Sequence, residues 1–101
     1  MKQCCRDYLM EQFGDEDVTK DIYEEYVKSI QEKLPEFDAA LSTENWLSLD
    51  RLAHAVKGNA LAAGDTDTAD VAIALRSAAK LSEKATADTL LGKLKDLAKE
   101  L

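Results

Sequence analysis

Histidine occurs once in the chain, at position 54, within the run Ala53-His54-Ala55-Val56-Lys57-Gly58-Asn59-Ala60-Leu61-Ala62-Ala63-Gly64. A neutral imidazole is a nucleophile near physiological pH, and on a helix the residues three and four positions on, Lys57 and Gly58, are its neighbours on the turn above. The Lys57 ammonium is placed to attract the oxygens of a phosphoryl group carried on the ring and to offset their charge. Gly58 speaks through what it lacks. Glycine inside a helix is about 1 kcal/mol less favourable than alanine, and this segment otherwise favours alanine, so clearance beside His54 implies that another body comes close. Asp50 and Arg51, one turn before His54, belong to the rim of the same surface. Leu47 and Leu61, further along the face in either direction, supply an apolar centre for docking.

Other chemistries are poorly served. Cys4, Cys5 and His54 show no established zinc spacing and are far apart in sequence, so no metal site is expected. No glycine-rich phosphate loop, nucleotide-binding strand pattern or second catalytic base accompanies His54, which excludes an ATP-using kinase and leaves no cofactor site. The acidic runs Asp15-Glu16-Asp17 and Glu24-Glu25 read as a helix cap and a solvated face.

Breakers are scarce, four Gly and one Pro in 101 residues, so long helices joined by short turns must carry these side chains. A first segment over residues 3–13, with Cys5, Leu9 and Phe13 at helical spacing, stops at Gly14, and Asp15 to Asp17 offer a cap for the next. The second runs from Val18 to Leu41, with Tyr23, Val27, Ile30, Leu34, Phe37 and Leu41 as its buried stripe. Pro35 lies inside it and predicts a kink near Gln31 to Pro35, because the ring removes a donor and crowds the Gln31 carbonyl. The third follows the cap candidates Ser42 and Thr43 and buries Trp46, Leu49, Ala53, Val56, Ala60 and Ala63 before ending at Gly64. His54 follows Ala53 by about 100° of helix rotation, beside the buried stripe and open to solvent. Asp65-Thr66-Asp67 caps a fourth helix with Val71, Leu75 and Ala78 inside. A fifth follows Ser82 with the seam Leu90, Leu94, Leu97 and Leu101. These elements predict an all-α fold, an antiparallel four-helix bundle with an additional short N-terminal helix, in a single domain over 1–101.

The bulk properties agree with a folded protein and exclude several partners. Apolar residues are 46% and charged residues 33% of the chain, ordinary for a folded protein, and the net charge of −7 repels a nucleic-acid backbone in the absence of any Lys/Arg cluster. Cys4 and Cys5 are adjacent and cannot staple distant segments, which points to a reducing, cytoplasmic setting. No segment approaches the roughly 20 apolar residues of a membrane span, so no membrane partner is expected.

His-x-x-Lys-Gly with a second glycine six residues later resembles the signature of histidine-containing phosphotransfer domains. A bare three-residue pattern of this kind occurs by chance in about one chain in a hundred; here it falls on the expected helix of a suitable bundle, preceded by a Pro-containing helix as in that family. The resemblance spans Tyr8 to Leu101. It implies that His54 is the phosphorylated nucleophile, Lys57 the phosphate-stabilising cation and Gly58 the clearance position, in a monomer that works with response-regulator receiver domains and a sensor or hybrid histidine kinase. Mg²⁺ would then belong to the receiver. Where many members place Gln or Glu on the next helix to hold the imidazole, this chain has Arg76, which cannot accept a hydrogen bond from the ring but can donate to a phosphoryl oxygen. The alternatives are a helical interaction module that binds signalling partners without transfer, and a plain homodimerising bundle.

Overall fold

A computed structural model describes every residue from Met1 to Leu101. Five helices account for nearly all of the chain: α1 (Gln3–Phe13), α2 (Glu16–Ser42), α3 (Trp46–Ala63), α4 (Thr66–Lys80) and α5 (Lys84–Lys99), with no strand. The all-α expectation therefore holds. Helices α2 to α5 close a ring of contacts, each against the next and α5 back on α2, while α1 lies across α2 and α3. The molecule measures 42 × 20 × 19 Å. At about 1.5 Å per residue, α2 alone spans the long dimension, and it runs unbroken through Pro35.

Each turn is written in local chemistry. Gly14 and Gly64 end α1 and α3 in the left-handed conformation, with φ of 63° and 76°, which glycine adopts without the steric penalty of a Cβ. Asp15 caps α2 by accepting the Val18 N–H at 3.0 Å. The cap of α3 is Asn45, whose side-chain oxygen accepts the Ser48 N–H at 3.2 Å, and not Ser42 or Thr43 as expected from sequence. Those two hydroxyls turn the other way and donate to the Ala39 carbonyl at 3.2 and 2.8 Å. A hydroxyl serves either end of a helix, and here the last-turn carbonyls of α2, each with a second lone pair to offer, are the ones within reach.

The core follows the expected stripes with departures on every helix; Val27, Leu34, Trp46 and Val71, expected inside, are half-buried. Phe13, the last residue of α1, is 52% exposed, because the helix ends there and the chain reverses at Gly14. On α5 the fully buried residues are Ala87, Leu91 and Leu94, while Leu90, Leu97 and Leu101 are half-buried. Both seams pass through Leu94, and the small Ala87 lets the helix turn Leu91 inward. On α2, Tyr26 and Ala40 are buried beside the predicted line of residues. Between α3 and α4, which share the most extensive contact in the fold, the buried residues are largely alanine: Ala53, Ala60 and Ala63 on α3 and Ala69, Ala72 and Ala78 on α4. Small side chains bring the two backbones close and hold the azimuth of α3.

One charge lies at the heart of this packing. Asp65, in the two-residue turn between α3 and α4, is fully buried. It accepts hydrogen bonds from Lys2 Nζ at 2.8 Å, Tyr26 Oη at 2.7 Å and Thr68 Oγ1 at 2.7 Å, and caps α4 through the Thr68 N–H. Burial alone would raise its pKa, but the bonds from Lys2, Thr68 and Tyr26 outweigh burial and hold it below the ordinary carboxylate value. Burial, and after it the bond to Asp65, pushes the Tyr26 phenol up. Burial likewise lifts the neighbouring Cys5 thiol to about 12, so that thiol stays protonated and serves as packing. Lys2 N–H also donates to Tyr23 Oη, which donates to the Leu101 carbonyl, both at 3.1 Å, joining the two ends of the chain.

Two outcomes follow for solution experiments. A depressed folded-state pKa gives a contribution that is complete above the unfolded-state value near 4 and is lost as pH falls through the folded value. Asp65→Asn should therefore cost about 3 kcal/mol at neutral pH, and its urea-denaturation free energy should fall less steeply than the wild type's below about pH 4. A Cβ at Gly14 would meet nothing within 4 Å, whereas one at Gly64 would lie 2.4 Å from Tyr8 Cβ. Gly14→Ala should cost about 1 kcal/mol from backbone strain, and Gly64→Ala, measured by the same urea titration, at least about twice that.

Candidate functional site

The site is built on the outer face of α3. Ala53 and Val56 are fully buried, and their position in the seam forces His54, about 100° round the helix from Ala53 and about 160° from Val56, outward. His54 is exposed, Lys57 half-buried and Gly58 exposed. Leu47 and Leu61, the apolar residues expected along the same face, are 60% and 47% exposed. The structure thus brings His54, Lys57, Gly58, Leu47, Asp50, Arg51 and Leu61 onto one helix surface. None of the larger surface grooves is lined by His54, whose side chain is exposed.

Gly58 is open in the strict sense. Beyond its own stretch of helix backbone, a Cβ built there would meet nothing within 4 Å. Internal packing therefore gives no reason for a glycine in the middle of α3, and the helix accepts a less favourable residue at this position without any return inside the fold. The contrast with Gly64, which is required by both its φ and Tyr8, makes the point sharper.

The α4 side of the site differs from a simple imidazole support. Arg76 donates from Nε to Asp50 Oδ1 at 3.0 Å, and each of the two side chains is about a quarter exposed. The ring of His54 has no hydrogen-bond partner from the protein. Since α3 and α4 are joined by two residues and packed along their length, they run antiparallel, and Ile73, three residues before Arg76, lies at the level of the His54 turn. Ile73 is 46% exposed and Leu81, at the far end of α4, is 69% exposed. Sequence reasoning missed both: each stands at a position that a one-line seam reading assigns to solvent, and only an isoleucine and a leucine at such positions could have flagged them.

The α2 side is also open. A groove of about 500 Å³ runs between the end of α2 and the start of α3, lined by Glu36, Ala39, Thr43, Arg51, Leu52 and Ala55 among others. Arg51 and Ala55 lie three residues before and one after His54, so the groove borders the site directly. Deeper along α3, Asn59 donates to Ser29 Oγ at 3.0 Å and fastens α3 to α2. No cluster of three or more His, Cys, Asp or Glu side chains is arranged to hold a metal ion, and no helix is long and apolar enough to cross a membrane.

The open environment of Gly58 separates its helix role from any contact role. Gly58→Ala should raise stability by roughly 0.5–1 kcal/mol, read from the urea midpoint, because it improves helix propensity and introduces no clash.

Comparison with known proteins places this geometry. The family model of the Hpt domain matches residues 21–101; no curated protein and no solved structure matches the chain. The match contains His54, Lys57, Gly58 and Arg76 and begins within α2, so α1 and the first turn of α2 lie outside it, a shorter span than the resemblance from Tyr8 onward. Hpt domains are phosphocarriers rather than kinases, and they act in phosphorelays with receiver domains and histidine kinases. An exposed histidine on the third helix, a lysine one turn above it and a matched segment covering most of the sequence make this chain a member of the Hpt domain family.

Proposed function

We propose that the protein is the phosphocarrier of a two-component phosphorelay in which His54 accepts a phosphoryl group from the phospho-aspartate of one receiver domain and passes it to another. The observation that carries this reading is the exposed His54 beside an open Gly58 within the segment matched to the Hpt domain. The unprotonated ring nitrogen attacks phosphorus in line with the aspartyl oxygen; the N–P bond forms as the O–P bond breaks, and the carboxylate leaves with its electron pair. Run backwards on a second receiver, the same step unloads the carrier. Lys57 faces the phosphoryl oxygens from the turn above, while Mg²⁺ and the remaining charge-stabilising groups come from the receiver, so the carrier needs no cofactor of its own.

Docking uses the outer face of α3 itself. The receiver approaches over Gly58, with Leu47 and Leu61 as apolar contacts along α3 and Asp50 and Arg51 at the rim; Ile73 extends the apolar area onto α4. Such an interface is modest and transient, as a carrier that must release each partner requires. In this reading α2 to α5 form the antiparallel four-helix bundle of the domain with α1 added to it, and the whole chain acts as a cytoplasmic monomer.

The test is transfer from radiolabelled phospho-receivers of the same organism to the wild type and to His54→Gln. Label should appear on the wild type alone and be acid-labile and alkali-stable. Gly58→Leu should keep the fold yet slow loading by at least about tenfold, since a bulky side chain stands where the partner must approach. Absence of label with every receiver would overturn the reading in favour of a binding module without transfer.

A further inference from the structure

Three cations lie near His54, and the structure occupies only one of them. Arg51 and Lys57 are three residues before and after it on α3 and make no ion pair, whereas Arg76 on α4 is held by Asp50. Asp50 stands four residues before His54, which puts the two side chains on adjacent turns of one face, about 6 Å apart along the axis. The Arg76 guanidinium is thus parked one helical turn from the imidazole.

Its bond to Asp50 is exchangeable by construction. Contact is made through Nε alone, not through the paired donors that give Arg–carboxylate bridges their strength. Each partner is about a quarter exposed, so separating them strands neither in a dry interior. Arg76 has nothing to offer the bare imidazole as an acceptor. A phosphoryl group changes that balance, because it brings close to two negative charges and three acceptor oxygens to a place one turn away, and a planar guanidinium matches those oxygens with two donors at once.

We infer that Asp50 holds Arg76 in reserve while His54 is bare, and that a phosphoryl group on His54 draws the guanidinium off Asp50 onto its own oxygens. The inference rests on His54 being the phosphorylated residue. It gives the docking face two states: one in which Asp50 is neutralised, and one in which its carboxylate is free at the rim while the phosphoryl charge is held between Lys57 and Arg76. Asp50 competes with the phosphoryl group for one cation, so it acts against loading, and Arg76 acts for it.

The experiment needs no receiver. Phosphoramidate gives its phosphoryl group to the imidazole, the P–N bond to ammonia breaking as the bond to the ring forms, and ³¹P NMR follows the titration of the phosphoryl group on His54. A guanidinium on the phosphoryl oxygens favours the dianion, so Arg76→Gln should titrate about half a pH unit above the wild type and Asp50→Asn below it. Asp50 also acts directly through its charge, and the double variants separate the two effects. The Asp50→Asn shift should shrink by at least half in an Arg76→Gln background and remain whole in an Arg51→Gln background, which removes a cation one turn from His54 with no tie to Asp50. The Arg76 Nε–H resonance should move on loading in the wild type. Additive shifts, or an Arg76 resonance indifferent to loading, would overturn the exchange and leave phosphotransfer standing. Failure of phosphoramidate to load His54 in the folded protein would overturn both.

Discussion

Burying a carboxylate is tolerable only when its charge is met from several sides, and Asp65 imposes that condition on the whole chain. Its partners come from three places: the segment before α1 through Lys2, the middle of α2 through Tyr26, and the first turn of α4 through Thr68. None is close to Asp65 in sequence except Thr68. Satisfying this one group therefore requires α2 to lie against the α3–α4 turn and the N-terminal segment to cross it. Tyr8 seated against Gly64 completes the corner. With the end of α3 held in this way, and with alanine faces drawing α3 and α4 together, the azimuth of every residue on α3 is determined, His54 included.

That is a different solution from an active site in which hydrogen bonds orient the catalytic ring. No protein group bonds the imidazole, and the arginine one turn along from it is engaged by Asp50. Orientation comes from the helix: Ala53 and Val56 in the core leave His54 no direction but outward. A rigid support for a nucleophile need not touch the nucleophile, provided the element that carries it cannot rotate.

Much of this was legible in the residue pattern, and the reasons are local. Gly14, Gly64 and Asp65 mark turns by backbone chemistry that depends on no distant partner, which is why α1 is found over the expected residues and α3 ends at the expected glycine. His54, Lys57 and Gly58 lie within five residues on one helix, so their common face follows from helical geometry. What failed was longer in range or two-sided. Ser42 and Thr43 could cap either the helix behind them or the one ahead, and only the positions of the Ala39 and Ala40 carbonyls decide it. The α5 seam turned on which of two leucine lines faced the core, a matter of how closely α4 and α2 approach. The pairing of Asp50 with Arg76, 26 residues apart, and the place of Ile73 depend on the register between two helices, which no single-helix periodicity contains.

The exposure of His54 has a consequence in time. In the proposed carrier, a phosphoryl group on that ring faces water whenever no partner is docked. Shelter cannot then set how long such a group survives. In that reading its lifetime is governed by the intrinsic chemistry of the P–N bond and by the charges beside it, until a docked partner removes it.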